Sequence, residues 1–318
     1  MSLAMIEAAA ARLAGHARVT PLLNAPLLDA VFGKRIFVKA ECLQVTGSFK
    51  FRGAWSAVSA LPAGVRGVLA YSSGNHGQGV ALAAARHGLA CVVVMPSDAP
   101  AVKIANTRAY GAEVVLYDRA TQDRDALGDA LCAARGLVLI KPFDDPQVIA
   151  GQGTVGLEIA EQAHTAGIGG CDVLVCCGGG GLSAGIAQAL EARAPGMVVR
   201  PVEPAGFDDM ARSLAAGERL RNASTSGSVC DAILTPMPGT LTFPVLQRLA
   251  GPGMVVSDDQ ALQAMALAFA HLRIVLEPGG AVALAAALFG DTTDPLICVA
   301  SGGNTDPAVF QSALARFG

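Results

Sequence analysis

The stretch VLVCCGGGGLSAGIAQAL, residues 173–190, runs from an uninterrupted apolar segment into four glycines and then into an Ala- and Leu-containing helical segment. A strand, a glycine turn and a helix in immediate succession form the unit from which covered parallel sheets are built. Four glycines also let successive backbone N–H groups converge on one point. The helix that follows adds its positive N-terminal end, which together makes a phosphate site. One or two glycines would suffice for a close turn, so the run of four favours the anion site. The stretch approaches membrane-spanning length without a charge, but its glycines read as a turn, and no transmembrane helix is expected.

The same alternation continues outward. After a helical opening at about residues 2–15, GVLAYSS (67–73), ACVVVMP (90–96), EVVLYD (113–118) and LVLIKPF (137–143) read as strands with helices between them. DVLVCC (172–177), MVVRPVEP (197–204), MVVSD (254–258) and LICVASGG (296–303) form a second series. Uninterrupted apolar strands with helical crossovers predict an α/β fold of two open, twisted, mainly parallel sheets covered by helices, with the site in the cleft between them. The expected division is a larger domain from residues 1–61 and 143–318 and a smaller inserted α/β domain from 62–142. Pro-, Asp- and Gly-containing stretches near 61–66 and 142–152 are the crossing points.

Composition agrees with this reading. Of 318 residues, 52% are hydrophobic but only 5% aromatic, and 37 are glycine, so small aliphatic side chains carry the apolar character. The net charge of −3 comes without a block of like charges, which argues against nucleic acid or an anionic membrane and favours a small neutral or zwitterionic ligand. The N-terminus has no basic region ahead of an apolar core and is not a secretory signal, while Met5 offers an alternative start. The eight cysteines contain no Cys-x-x-Cys pair and several sit in apolar runs, which predicts reduced core thiols and a cytoplasmic location.

Four further stretches bear on chemistry. In QVTGSFKFRG (44–53), Lys50 stands between two phenylalanines. Its stem can lie along apolar surface with the ammonium in water, or a partly dry pocket can lower its pKa for Schiff-base chemistry. SSGNHGQG (72–79) follows a strand and opens a helix, an arrangement suited to a carboxylate, although Ser and Asn are also ordinary N-caps. SGGN (301–304) places a hydroxyl at a strand's carboxyl end, where open α/β sheets put ligands. VEPAGFDDM (202–210) offers Glu203, Asp208 and Asp209 as hard oxygen ligands for Mg²⁺ or Ca²⁺, although solvated helix-capping acids explain them better when the stretch is read alone.

Two nucleotide readings compete. A P-loop needs Lys and Ser/Thr after its last glycine, where this chain has Leu182. GQGTVG (151–156) matches G-x-G-x-x-G but follows FDDPQVIA and not a clean strand, so helix packing explains it better. GGGLSA (179–184), with Glu203 downstream, keeps the dinucleotide reading open.

Taken together, TGSFKFRG, SSGNHGQG, CGGGGL and SGGN, in this order and spacing, resemble the fold-type II pyridoxal-phosphate enzymes, in particular the serine/threonine dehydratases and serine racemases. The resemblance implies that Lys50 binds pyridoxal 5′-phosphate as an imine, with Phe49 against the ring and Asn75 on the cofactor's 3′ oxygen. The backbone of Gly178, Gly179, Gly180, Gly181 and Leu182 would hold the phosphate, and Ser301 would meet the pyridine nitrogen. Ser72, Ser73, Gly74 and His76 would receive the substrate carboxylate, and Glu277 would line the site. Glu203 and Asp209, with the carbonyl of Phe207, match the family's cation site for Mg²⁺ or another divalent ion. The family's habit is a homodimer.

The implied activity is dehydration and deamination of a 3-hydroxy amino acid, first L-serine or L-threonine, to a 2-oxo acid and ammonia, with Lys50 as the base. Ser73, on the face opposite the lysine, makes serine racemisation the alternative. A hydroxyaspartate dehydratase would use Arg52, Arg273 or another cation for the second carboxylate. From other classes, an amino-acid-sensing protein on the same scaffold and a dinucleotide oxidoreductase remain as competitors. Related dehydratases read Ala-Asp-Gly where this chain has CDAILTPMPGTLTFP (230–244), so Ala232 alters one wall of the site. The chain ends at Gly318, and a regulatory domain such as that of biosynthetic threonine deaminases is not expected.

Overall fold

A computed structural model describes residues 2–72, 74–99, 101–118 and 120–318, with the Val102 side chain left aside. The strands are β1 (Leu22–Asn24), β2 (Ile36–Lys39), β3 (Gly67–Tyr71), β4 (Ala90–Pro96), β5 (Glu113–Tyr117), β6 (Val138–Leu139), β7 (Cys171–Cys176), β8 (Met197–Pro204), β9 (Met254–Val256) and β10 (Leu296–Val299). The helices are α1 (Leu3–Leu13), α2 (Pro26–Phe32), α3 (Lys50–Ser59), α4 (Asn75–Arg86), α5 (Ala101–Ala109), α6 (Arg124–Arg135) and α7 (Pro146–Thr165). They continue with α8 (Gly181–Arg193), α9 (Asp209–Ala216), α10 (Thr242–Leu249), α11 (Asp258–Leu267), α12 (Pro278–Phe289) and α13 (Pro307–Phe317).

Among the described residues the strands form two sheets, a six-stranded one in the order β1-β2-β10-β7-β8-β9 and a four-stranded one in the order β5-β4-β3-β6. Apart from the antiparallel β1–β2 pair, the neighbours are parallel. Burial on both faces explains the unbroken apolar strands. In β10, Leu296 and Cys298 enter one core while Ile297 and Val299 enter the core on the opposite face. In the smaller sheet Val93 and Met95 face the core shared with α3 and α4, and Val92 and Val94 face the other side. That shared core includes Phe51, Ala54, Trp55 and Val58 of α3, so the helix that begins at Lys50 packs on the four-stranded sheet.

Two sequence expectations change and a third stands. β1 and β2 carry no strong strand signal in so few residues. LVLIKPF yields only the two residues of β6, because the chain then turns across the cleft. GQGTVG lies inside α7, and its glycines are helix crossings: a Cβ on Gly151 would strike Arg52 O and Gly53 Cα, one on Gly153 Ile6 and Gly185 O, and one on Gly156 Ala189. Packing therefore accounts for those glycines, as the sequence context indicated. All eight cysteines are free thiols, seven of them buried. Burial pushes Cys42, Cys91 and Cys230 up to about 12, which leaves these thiols inert. No helix among the described residues is long and apolar enough to cross a membrane.

Candidate active site

Within each sheet the parallel strands point their carboxyl ends one way, and the segments that follow β3 in one sheet and β7 and β10 in the other meet at one place. A cavity of about 680 Å³ lies there. Its walls include Phe49, Lys50, Ser72, Gly74, Asn75, His76, the run Gly178–Leu182, Glu277 and Ser301. Residues from opposite ends of the chain thus share one wall, and Ala232 lines it too. Ser73 lies outside the described residues.

The backbone fixes the lysine. Phe49 N–H donates to the Ser301 carbonyl at 3.0 Å, Ser48 bridges to Gly302, and Cys42 N–H donates to the Ala300 carbonyl at 2.8 Å. The TGSFK segment is thereby sewn to the end of β10. Lys50 then opens α3 with its Nζ donating to the Pro142 carbonyl at 2.9 Å, 5.1 Å from the centre of the Phe49 ring. Burial lowers its pKa to about 8, opposed by the negative charge of Glu277. Of the two sequence readings, the dry pocket holds and the solvated surface lysine does not.

The glycine loop is shaped by its surroundings as well as by any ligand. Gly180 has φ +89°, and a Cβ there would meet Met210 Cε at 2.7 Å, whereas side chains on Gly179 or Gly181 would run into Phe143. Packing therefore demands Gly179 and Gly180 and crowds Gly181, which the sequence argument undervalued. The loop is held through its carbonyls: Gly179 O accepts from Thr242 Oγ1 at 2.6 Å and Gly239 N–H at 3.2 Å, and Gly180 O accepts from Ala184 N–H. The first amides of α8 have no partner within the helix, as at any helix start, and they border the cavity.

Asn75, the first residue of α4, donates to Glu277 at 2.5 Å and accepts from Asn304 Nδ2 at 2.8 Å. Asn304 also donates to the Thr46 carbonyl, so the last residue of SGGN orients the amide of SSGNHGQG. This positioning contact has no local sequence signal. Glu277 is buried, and burial raises its pKa to about 7 against the opposing effects of Lys103 and the Asn75 bond. His76 Nε2 lies 2.8 Å from the Ile140 carbonyl, and burial, then the charge of Lys50, lowers its pKa to about 3, so the ring is neutral.

Two candidate residues are excluded from the cavity. Arg52 is 2% exposed and makes a bidentate pair with Glu41 at 2.8 Å and a second with Glu158 at 2.7 and 2.9 Å. Arg273 is exposed, in the left-handed region at φ 60°, and its guanidinium donates to the Phe269 carbonyl. Neither borders the cavity, and neither is free to receive a second carboxylate there. Besides Lys50, the cations in its wall among the described residues are Lys103 and Arg124, which sequence reasoning did not single out. Lys103 Nζ lies 2.7 Å from Asp231.

Glu203, Phe207 and Asp209 do not line the cavity either. Glu203 is fully buried and accepts from the amides of Met210 and Ala211 at 3.0 and 2.8 Å, capping α9. Asp209 Oδ1 accepts from Asn222 at 2.6 Å, and its Oδ2 is buried without a partner. Burial, then the neighbouring acid, raises Glu203 well above the usual carboxylate range, and burial takes Asp209 to about 6. No group of three or more His, Cys, Asp or Glu side chains suited to a metal occurs among the described residues. Any cation here would need carbonyl oxygens.

A dry lysine and a glycine loop at a helix start, facing each other across a cleft between two parallel sheets, define an enzyme that fits a phosphorylated aldehyde: the amine bonds the carbonyl carbon and the loop holds the phosphate. The chain matches the family model described as pyridoxal-phosphate dependent enzyme over residues 13–302, and it belongs to that family. It is 42% identical over 281 residues to an L-threo-3-hydroxyaspartate ammonia-lyase of Pseudomonas sp, covering 87% of this chain and 86% of the relative. A serine racemase of Oryza sativa subsp. indica is 36% identical over 321 residues, covering 98% and 93%. Among solved structures, a threonine deaminase from T.th. superposes with a TM-score of 0.92 at 46% identity, covering 96% of this chain and 99% of that one. The fold is that of the type II pyridoxal-phosphate enzymes.

Proposed function

We propose that this enzyme dehydrates and deaminates a 3-hydroxy amino acid, L-serine or L-threonine first, releasing a 2-oxo acid and ammonia. The observation that carries the reading is Lys50, half-buried at the cleft, its pKa lowered by desolvation to about 8, lining one cavity with the glycine loop. Lys50, Phe49, Asn75, the Gly178–Leu182 backbone and Ser301 would hold the cofactor. When bound, pyridoxal phosphate supplies the electron sink for negative charge at Cα.

The chain's own groups do the rest. Ser72, Gly74 and the start of α4 receive the substrate carboxylate at a helix N-terminus. Lys50, once free, takes the proton from Cα, and its lowered pKa keeps a useful share of the amine neutral near pH 8. Glu277, with its pKa near 7, still carries a proton part of the time at neutral pH and can donate it to a departing hydroxyl. Ser301 offers a hydroxyl and no carboxylate, so it does not hold a pyridine nitrogen protonated.

The three relatives named above support elimination or racemisation as a class. A 3-hydroxyaspartate substrate is the second reading, favoured by Lys103 in the cavity wall beside Gly74. Against it, Lys103 is already neutralised by Asp231, so a second carboxylate has to displace that ion pair. Racemisation needs a proton donor on the face opposite Lys50, the role proposed for Ser73. The purified protein should be yellow, and borohydride should bleach it. Assay of 2-oxo acid release across L- and D-serine, L-threonine and the 3-hydroxyaspartate isomers should show L-serine or L-threonine turned over fastest; a colourless protein that cannot be reconstituted defeats the proposal. Ser73→Ala should keep elimination and lose D-serine formation, and undiminished racemisation would remove that residue's role.

We further propose a divalent cation held by Glu203, Asp209 and the Phe207 carbonyl, on the strength of the buried, unpartnered Asp209 oxygen. A homodimer located in the cytoplasm completes the reading, supported by the family's habit and by the free, buried thiols.

A further inference from the structure

Packing explains the glycines of GQGTVG but not the glutamine between them. Gln152 is 1% exposed, borders the cavity, and has no hydrogen-bond partner for either Oε1 or Nε2. Its amide lies over Gly53, where a side chain would collide with it. Gly53 is three positions past Lys50, on the same face of α3.

A second unpartnered atom belongs to the same cavity. His76 Nδ1 is buried with nothing to bond, and its Nε2 faces the Ile140 carbonyl. A carbonyl can only accept, so Nε2 carries the proton and Nδ1 offers a lone pair. His76 is close enough to Lys50 for a charge on the lysine to oppose one on the ring. Buried polar atoms of this kind are costly unless water or a ligand satisfies them.

We propose that His76 Nδ1 and the Gln152 carboxamide hold one ordered water against Lys50, and that this water tunes the lysine as a base. The water's own bonds are filled, since it accepts from the Lys50 amine and donates to Nδ1 and to Gln152 Oε1, three partners for one molecule, while Gln152 Nε2 stays turned toward Gly53 without a partner. The Pro142 carbonyl takes another N–H of the amine. The titratable groups facing Lys50 are Glu277 at the start of α12 and His76 on α4, with Lys103 from α5 and Asp231 acting on Glu277. From α7 only Gln152 reaches the cavity wall among the described residues. Gln152 is therefore a positioning residue that acts through the water.

This inference rests on Lys50 being the base of the proposed reaction. A water that accepts from the amine favours its charged form, so losing the water lowers the affinity of Lys50 for a proton. In the holoenzyme, Gln152→Leu should move the rising limb of the kcat–pH profile about one unit toward acid and lower the plateau several-fold. Gln152→Glu puts a negative charge there and should move the limb toward alkali. Limbs that stay with the parent's, or move together, overturn the proposal. So does a high-resolution crystal structure of the unsubstituted protein with no ordered water within hydrogen-bond distance of both His76 Nδ1 and Gln152. A colourless parent would instead remove the reading of Lys50 as the cofactor lysine, whereas a coloured, active parent with unmoved limbs removes only the water.

Discussion

Lys50 and Arg52 stand two residues apart on one helix, and their surroundings are opposite. Arg52 belongs to a closed ionic cluster with Glu41, Glu158 and Lys39, in which two cations meet two carboxylates. Thr20, Thr154, Gln162 and the carbonyls of Arg18 and Thr20 take the remaining bonds. Although burial alone would raise the pKa of Glu41, the charge and bonds of Arg52 bring it below the usual range. Lys50 has one carbonyl partner, a raised carboxyl at Glu277, and shares its cavity with the unpartnered His76 Nδ1 and Gln152 amide. A buried charge with every bond filled is a structural device, whereas one left short of partners is poised for a ligand.

The contrast is broken most severely at its two ends. Lys50→Ala should cost roughly 10²–10⁴-fold or more in turnover while leaving the melting temperature unchanged or slightly higher, since an under-bonded amine leaves the interior. Arg52→Leu should do the reverse. Stranding Glu41 in the interior costs about 3–5 kcal/mol, read as a fall in Tm of order 10 °C, with the cofactor's absorption retained in whatever folds. Calorimetry and 2-oxo acid assays on the two variants decide between them, and equal loss of stability in both would erase the distinction.

A smaller effect sharpens the boundary of the site. Asn304→Ala frees the amide of Asn75 to rotate away from the cleft, for a loss of about 1 kcal/mol of binding, or roughly fivefold in cofactor affinity measured by absorbance titration. An unchanged affinity would show that Glu277 alone orients Asn75. The smallest expected effect tests the other under-satisfied carboxyl. Asp209 has a folded pKa near 6, above its ordinary value of 3.8, so between those values the folded state binds more protons than the unfolded one. With chelator present, its contribution to stability is greatest below about pH 4 and is lost as pH rises through 6. Added Mg²⁺ or Ca²⁺ should remove that slope in denaturant titrations; a slope that persists would dismiss the cation.

Much of this was legible in the chain. The strand–glycine–helix run at 171–193, the apolar strands buried on both faces, and four short motifs in a fixed order pointed to the fold and the cavity residues, because each is a local pattern of residue type and spacing. The motifs failed where a residue's meaning depends on what lies opposite. Arg52 reads as a free cation beside Lys50, yet Glu41 and Glu158 enclose it. The two-residue β6 is shorter than its apolar run, because Pro142 and Phe143 leave the sheet to face Lys50 and the glycine loop.

By itself, then, the sequence determined that a lysine, a glycine cradle and a strand-end hydroxyl would exist, since local periodicity and glycine's lack of a Cβ require no partner to be recognised. Only the tertiary structure decided which charges are spent and which are available. It enclosed Arg52, turned Asn304 toward Asn75, set Lys103 against Asp231, and left His76 Nδ1 and the Gln152 amide unpartnered in the cavity that the lysine lines. The physical reason is that desolvation and hydrogen bonding act through space, between residues that the chain order keeps far apart.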